Sequence, residues 1–172
     1  LLTNRIVNMM RERLRLQRGD RYLCILENDN LSLFHTWTAL KGEAAAVWTN
    51  YRDSLDEHLW QIDFIKPKVV LLENALLDRY FDMLRDRGIT VVCMDPPPTP
   101  RDGLHWLGEL IECVSDANPD IENEVDRDIL IYRFTGRVRY VSHQPRLLPG
   151  ALAGLRRSAL PRGRRARPTA QA

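Results

Sequence analysis

The residues with the clearest chemical potential stand together at positions 129–136. Ile129-Leu130-Ile131-Tyr132-Arg133-Phe134-Thr135-Gly136 reads as an apolar strand that ends in a hydroxyl and a glycine. A nucleotide phosphate is held by backbone N–H groups that come close, by hydroxyls that share its charge, and by a cation. Thr135 offers the hydroxyl and Gly136 lets the backbone turn, so the pair can open a phosphate loop, as it can open an ordinary turn. The next residues do not complete such a loop. Arg137-Val138-Arg139-Tyr140-Val141 has no second glycine, no Thr pair and no lysine. Arg137 and Arg139 bring charge, but without further glycines the backbone cannot wrap a phosphate.

Other groups that could do chemistry are scattered. His35, His58 and His105 fall on three separate helical segments with no paired ligand spacing, so they read as surface or partly buried structural histidines and no metal site is predicted. Cys24, Cys93 and Cys113 are odd in number, far apart and set among apolar neighbours, which suits buried, reduced thiols. Ser115 to Asp128 carries six carboxylates and Pro119, and reads as a solvated loop rather than a cation site. Trp37, Trp48, Trp60 and Trp106 read as core packing rather than a stacking platform for bases. No catalytic residue is assigned.

The elements that position these residues alternate. Thr3 or Asn4 can cap a helix to about Leu16, with Ile6, Met10 and Leu14 on one stripe. Tyr22–Leu26 is a short apolar run after a Gly19-Asp20 turn, and fits a strand covered on both faces. A second helix runs from Asn28-Asp29-Asn30 to about Ala44, and a weaker strand covers Ala45–Thr49. Asp53 or Ser54 caps a helix bearing Leu55, Leu59 and Ile62, and Lys68–Leu72 is the third strand. Leu76 to Leu84 forms the next amphipathic helix, stopped by Arg87-Gly88, before a fourth strand at Ile89–Met94. Pro96-Pro97-Pro98-Thr99-Pro100 is a stiff connector, His105–Val114 is a short helix, and Ile129–Phe134 is the fifth strand. The pattern predicts an α/β layered, largely parallel sheet flanked by helices over residues 1–136, with right-handed crossovers, followed by an irregular basic tail over 137–172.

The order of features ahead of Thr135 adds a resemblance. Gly19-Asp20-Arg21, an apolar strand, Asn28, a helix ending in Leu40-Lys41-Gly42, a small-residue strand closing on Asn50, a helix, and Pro67-Lys68-Val69-Val70 closely resemble the adenylate-forming enzymes, the acyl-CoA synthetase, luciferase and peptide-synthetase adenylation superfamily. Within it the chain looks most like a fatty-acid–CoA ligase, and the likeness covers about residues 1–136. The resemblance implies the N-terminal part of the large domain of such an enzyme. It also implies ATP, Mg²⁺ and coenzyme A as cofactors, a carboxylic (fatty) acid as substrate, and an acyl-adenylate that passes its acyl group to the CoA thiol. In that family the fifth strand enters a Thr-Ser-Gly-Thr-Thr-Gly-x-Pro-Lys-Gly loop on the ATP phosphates. Thr135 and Gly136 match its opening as a partial ATP phosphate loop, and nothing after Gly136 matches. The later adenine, ribose and C-terminal lysine motifs have no counterpart in 172 residues, so the chain as given is expected to be an inactive N-terminal fragment.

Charge divides at the same point. The net charge of +2 averages residues 1–136, with sixteen basic and twenty-three acidic side chains, and a tail with nine arginines, no lysine and no carboxylate. The tail's four prolines and its Arg, Ala, Leu, Pro and Gly bias fit a wrong-frame reading of a GC-rich gene from about codon 136 better than a packed domain. Two other readings compete: a non-catalytic α/β interaction module with a genuine basic tail, and a nucleic-acid binder acting through Arg156, Arg157, Arg162, Arg164, Arg165 and Arg167. The acidic body and the lack of interleaved aromatics rank nucleic acid last. No apolar run approaches the roughly 20 residues that span a bilayer, no secretory leader opens the chain, and a cytoplasmic location is expected. The chain begins Leu1-Leu2-Thr3, so a start further upstream is expected too. A parallel sheet is buried on both faces, so this portion is expected to expose apolar surface and to fold only partly alone.

Overall fold

The computed structural model describes residues 1–28, 30–124, 126–135 and 139–143, with side chains for all of these except 30–34, 135 and 139–143. Seven strands form one sheet: β1 (Arg21–Ile25), β2 (Ala45–Trp48), β3 (Val69–Leu72), β4 (Thr90–Cys93), β5 (Leu104–Trp106), β6 (Ile131–Thr135) and β7 (Arg139–His143). Their order is β5-β4-β3-β1-β2-β6-β7, with every pair parallel except β6–β7. The chain therefore steps from β1 to β2 on one side, crosses back to β3 on the other, and returns from β5 across the sheet to β6.

Strand alternation sorts the core into two layers. Tyr22, Cys24, Ala46, Val69, Leu71 and Val92 face one cluster, closed by α1 (Leu2–Glu12), α2 (Asn30–Lys41) and α5 (Leu107–Ile111) through residues such as Ile6, Met9, Ala39 and Leu107. Leu23, Ile25, Val47, Val70, Leu72, Val91 and Cys93 face the other, closed by α3 (Leu55–Ile65) and α4 (Leu77–Asp86) through Ile62, Ile65, Tyr80, Phe81 and Leu84. Continuous apolar strands result because both faces are covered. The predicted α/β architecture with a largely parallel sheet is the one observed.

Several local expectations are corrected. The first helix begins at Leu2 with no side-chain cap and ends at Glu12. Asn4 is drawn away from capping because its Nδ2 donates to the Asp116 carbonyl at 2.9 Å. Residues 105–114 do not form one helix: His105 lies in β5, and α5 starts at Leu107. Leu104–Trp106 pairs parallel with β4, and that ladder takes the segment that a helix would have used. Within the segment after Gly136, Arg139–His143 is a strand rather than irregular chain. Gly136 and residues 144–172, including the six arginines weighed for nucleic acid, lie outside the described residues.

The acidic connection between α5 and β6 is tied down rather than merely solvated. Asn8 Nδ2 donates to the carbonyls of Ser115 (2.9 Å) and Ala117 (3.1 Å), and Lys41 Nζ donates to Asn4 Oδ1 at 2.8 Å. Arg18 pairs with Asp128 and donates to the Glu122 carbonyl at 2.6 Å. Among the described residues no helix is long and apolar enough to cross a membrane.

Candidate functional site

In an open parallel sheet, ligands bind outside the carboxyl ends of the strands where the winding reverses. Here β1 has β2 on one side and β3 on the other, so the reversal falls at the end of β1. A cleft of about 730 Å³ opens there, lined by residues 26–28 after β1, Trp48 at the end of β2 and residues 49–52 after it. Its floor is stitched to β3: Glu73 N donates to the Ile25 carbonyl at 3.2 Å, and Glu27 N donates to Glu73 Oε1 at 3.1 Å. Trp48 pairs in register with Arg133 of β6, so β6 lies beside β2. Thr135 is the last residue of β6, and Gly136 lies outside the described residues.

The cleft wall is the turn from Thr49 to Ser54, and α3 holds it at three points. Ser54 caps α3 in a reciprocal box: its Oγ accepts from Glu57 N at 3.2 Å and its N donates to Glu57 Oε2 at 3.0 Å. These hydrogen bonds from Ser54, the backbone one first, hold the Glu57 carboxyl below its ordinary range. Gln61 Nε2 donates to Asp53 Oδ2 at 3.2 Å, and the Thr49 hydroxyl sits between Gln61 Oε1 and Asp53 Oδ2 with one proton to give. His58 reaches the Asn50 carbonyl with Nε2 at 3.0 Å and the Tyr80 hydroxyl with Nδ1 at 2.6 Å. Burial pushes the His58 imidazole below its ordinary value, against the upward pull of the Asn50 carbonyl and of Asp53. Burial raises the Tyr80 hydroxyl. The lining carries Glu27, Asn28, Thr49, Asn50, Tyr51 and Arg52, polar groups of the kind that bind a polar ligand.

Two of the three histidines weighed from sequence are not at the surface: His35 and His58 are wholly buried, and only His105 is exposed. Among the described residues no cluster of His, Cys, Asp or Glu could hold a metal ion. Cys24 and Cys93 are buried as expected, whereas Cys113 is exposed at the frayed end of α5. Burial raises the Cys24 thiol far above its ordinary value and pushes Cys93 up to about 11. Trp48 and Trp106 pack against the core, but Trp37 and Trp60 are about half exposed (53% and 46%). Sequence reasoning misses His58 and Gln61 as a pair. The signal is there: they stand three apart on a helix, on the face that also carries Ile62 and Ile65.

This arrangement is a wound, largely parallel α/β sheet with a cleft at the carboxyl ends of β1 and β2. Comparison with solved structures narrows it: the chain has the fold of the N-terminal part of acyl-CoA synthetases. ATP-bound MatB from Rhodopseudomonas palustris matches at 22% identity and a TM-score of 0.67, over 81% of this chain and 27% of that one. A fatty acyl CoA synthetase of Mycobacterium tuberculosis matches at 23% identity and 0.64, over 84% and 28%. The long-chain-fatty-acid-CoA ligase FadD1 from Archaeoglobus fulgidus matches at 14% identity and 0.69, over 84% and 28%. This chain spans little more than a quarter of their length. No family model and no curated protein sequence matches it.

Proposed function

We propose that the chain is the N-terminal part of an ATP-dependent, AMP-forming acyl-CoA ligase. The observation that carries this reading is the coincidence of two lines. The ordered motifs from Gly19 to Val70 run through β1, α2, β2, α3 and β3 of a fold that matches the N-terminal part of the synthetases, and the strand expected to enter the phosphate loop, β6, pairs with β2. The intact enzyme would join a carboxylic, and in the fatty-acid ligases a long-chain, acid to CoA by way of an acyl-adenylate.

The residues present do not make up an ATP phosphate cradle: Thr135 ends β6, and Arg137-Val138-Arg139 supplies neither the glycines nor the lysine of one. The chain alone therefore takes no catalytic step and is read as inactive. The buried free thiols Cys24 and Cys93 support a reducing, cytoplasmic setting.

The test joins residues 1–135 to the part of R. palustris MatB that comes after the corresponding strand, and measures carboxylate-dependent exchange of labelled pyrophosphate into ATP. Exchange well above that of the MatB remainder alone supports the reading. A folded, monomeric chimera without exchange speaks for a non-catalytic module.

A further inference from the structure

We propose that His58 positions the wall of the carboxyl-end cleft: its neutral Nε2–H tautomer holds the Asn50 carbonyl while Nδ1 takes the Tyr80 hydroxyl proton, so α3 and α4 together set the turn Asn50–Asp53.

The proton assignments come from the partners. The Asn50 carbonyl can only accept, so the His58 nitrogen 3.0 Å from it, Nε2, carries the hydrogen. A wholly buried neutral imidazole then has a bare Nδ1, and the Tyr80 hydroxyl 2.6 Å away must be the donor. Tyr80 is itself buried, and its ring meets the imidazole edge-on with centroids 5.6 Å apart. Both ring nitrogens are satisfied, and each on a different element.

The consequence falls on the cleft. Residues 50–52 are part of its lining, and Asn50 is the first residue of that turn. The Ser54–Glu57 cap and the Gln61–Asp53 bond both join the turn to the helix that follows it, α3. His58 alone of these three ties the turn to the second helix of that layer. Since the claim concerns the shape of the wall, it stands independently of what the cleft binds.

The test uses the full 172-residue chain and three variants: His58→Phe keeps much of the volume and no hydrogen bond, His58→Gln keeps a donor and an acceptor, and Tyr80→Phe removes the donor to Nδ1. Two readouts are taken, the ¹⁵N spectrum of the histidine ring and amide hydrogen exchange at residues 51–54 against β1 and β3. In the unaltered protein Nε2 is expected to be the protonated nitrogen. In His58→Phe, exchange at 51–54 is expected to rise about tenfold or more while β1 and β3 stay protected, with His58→Gln recovering much of the difference. A proton on Nδ1 instead of Nε2 overturns the proposal. So does unchanged exchange at 51–54, or a uniform rise across the sheet, which is the mark of a core filler. Should His58→Phe fail to fold, the ring spectrum and Tyr80→Phe decide: selective loosening of 51–54 supports the proposal, and its absence overturns it.

Discussion

Arg18 and Asp128, 110 positions apart, form the ion pair that closes the long return of the chain from β5 to β6. Without that return β6 would not lie beside β2. Burial works to raise the Asp128 carboxyl, but the Arg18 hydrogen bond, the Glu124 N–H and the charges of Arg18 and Arg127 outweigh it and hold it below its ordinary value. A carboxyl lowered on folding adds stability above its unfolded value and loses it as pH falls through the folded one. The clasp therefore opens in acid.

The strap can be loosened without touching a charge. Asn8→Ala removes both donors from the carbonyls of Ser115 and Ala117 and leaves them partly covered. The expected cost is about 1–3 kcal/mol, read as a lower urea midpoint. Equal stability of the variant would mean that the strap is not held from α1.

Acid also acts through His58. Its imidazole is lowered on folding, so the unfolded chain takes up the proton first, and stability present above about pH 6.5 declines as pH falls toward the folded value. Chemical denaturation between pH 7 and 5 should show that slope, and His58→Gln should flatten it. A slope unchanged in the variant would assign it to another group.

The three thiols should separate cleanly. Cys113 is exposed, and Cys24 and Cys93 are buried with thiols that burial holds in the protonated form. A thiol reagent at pH 8 should label Cys113 quickly, and the other two only on unfolding. Rapid labelling of all three would show that the sheet opens readily.

An aromatic ridge is left uncovered on the side of α3. Trp60 stacks on Phe64 with centroids 5.4 Å apart and meets Phe134 of β6 edge-on at 6.0 Å, and both Trp60 and Phe64 are about half exposed. Such surface promotes association. Phe64→Ser should raise the concentration at which the chain aggregates while changing stability by no more than about 0.5 kcal/mol. Unaltered aggregation would place the sticky surface elsewhere, with Trp37 and Leu40 of α2 the next to test.

How far the sequence disclosed all this depends on the kind of interaction. β1, β3 and β4 were legible because strands covered on both faces carry uninterrupted apolar runs, as Leu23–Ile25 and Val69–Leu72 do. α3 was legible because Ser54 and Glu57 write a capping box into adjacent residues. β5 was not: His105 and Trp106 join the sheet only because β4 offers an edge, a cause that no local pattern records. The strand ending at Thr135 was legible as an apolar run, but the cleft wall was not. Its shape depends on His58 meeting Tyr80 twenty-two residues away, and on Gln61 reaching back to Asp53.

The central claim is that this chain is the front of an AMP-forming ligase whose phosphate loop should begin at Gly136. The most direct measurement is to sequence the encoding DNA from codon 125 through several hundred bases and translate all three frames. The account predicts that another frame continues after Gly136 with Thr-Thr-Gly-x-Pro-Lys-Gly. If no frame does, the basic tail is genuine, the phosphate site is absent, and the ligase reading is contradicted.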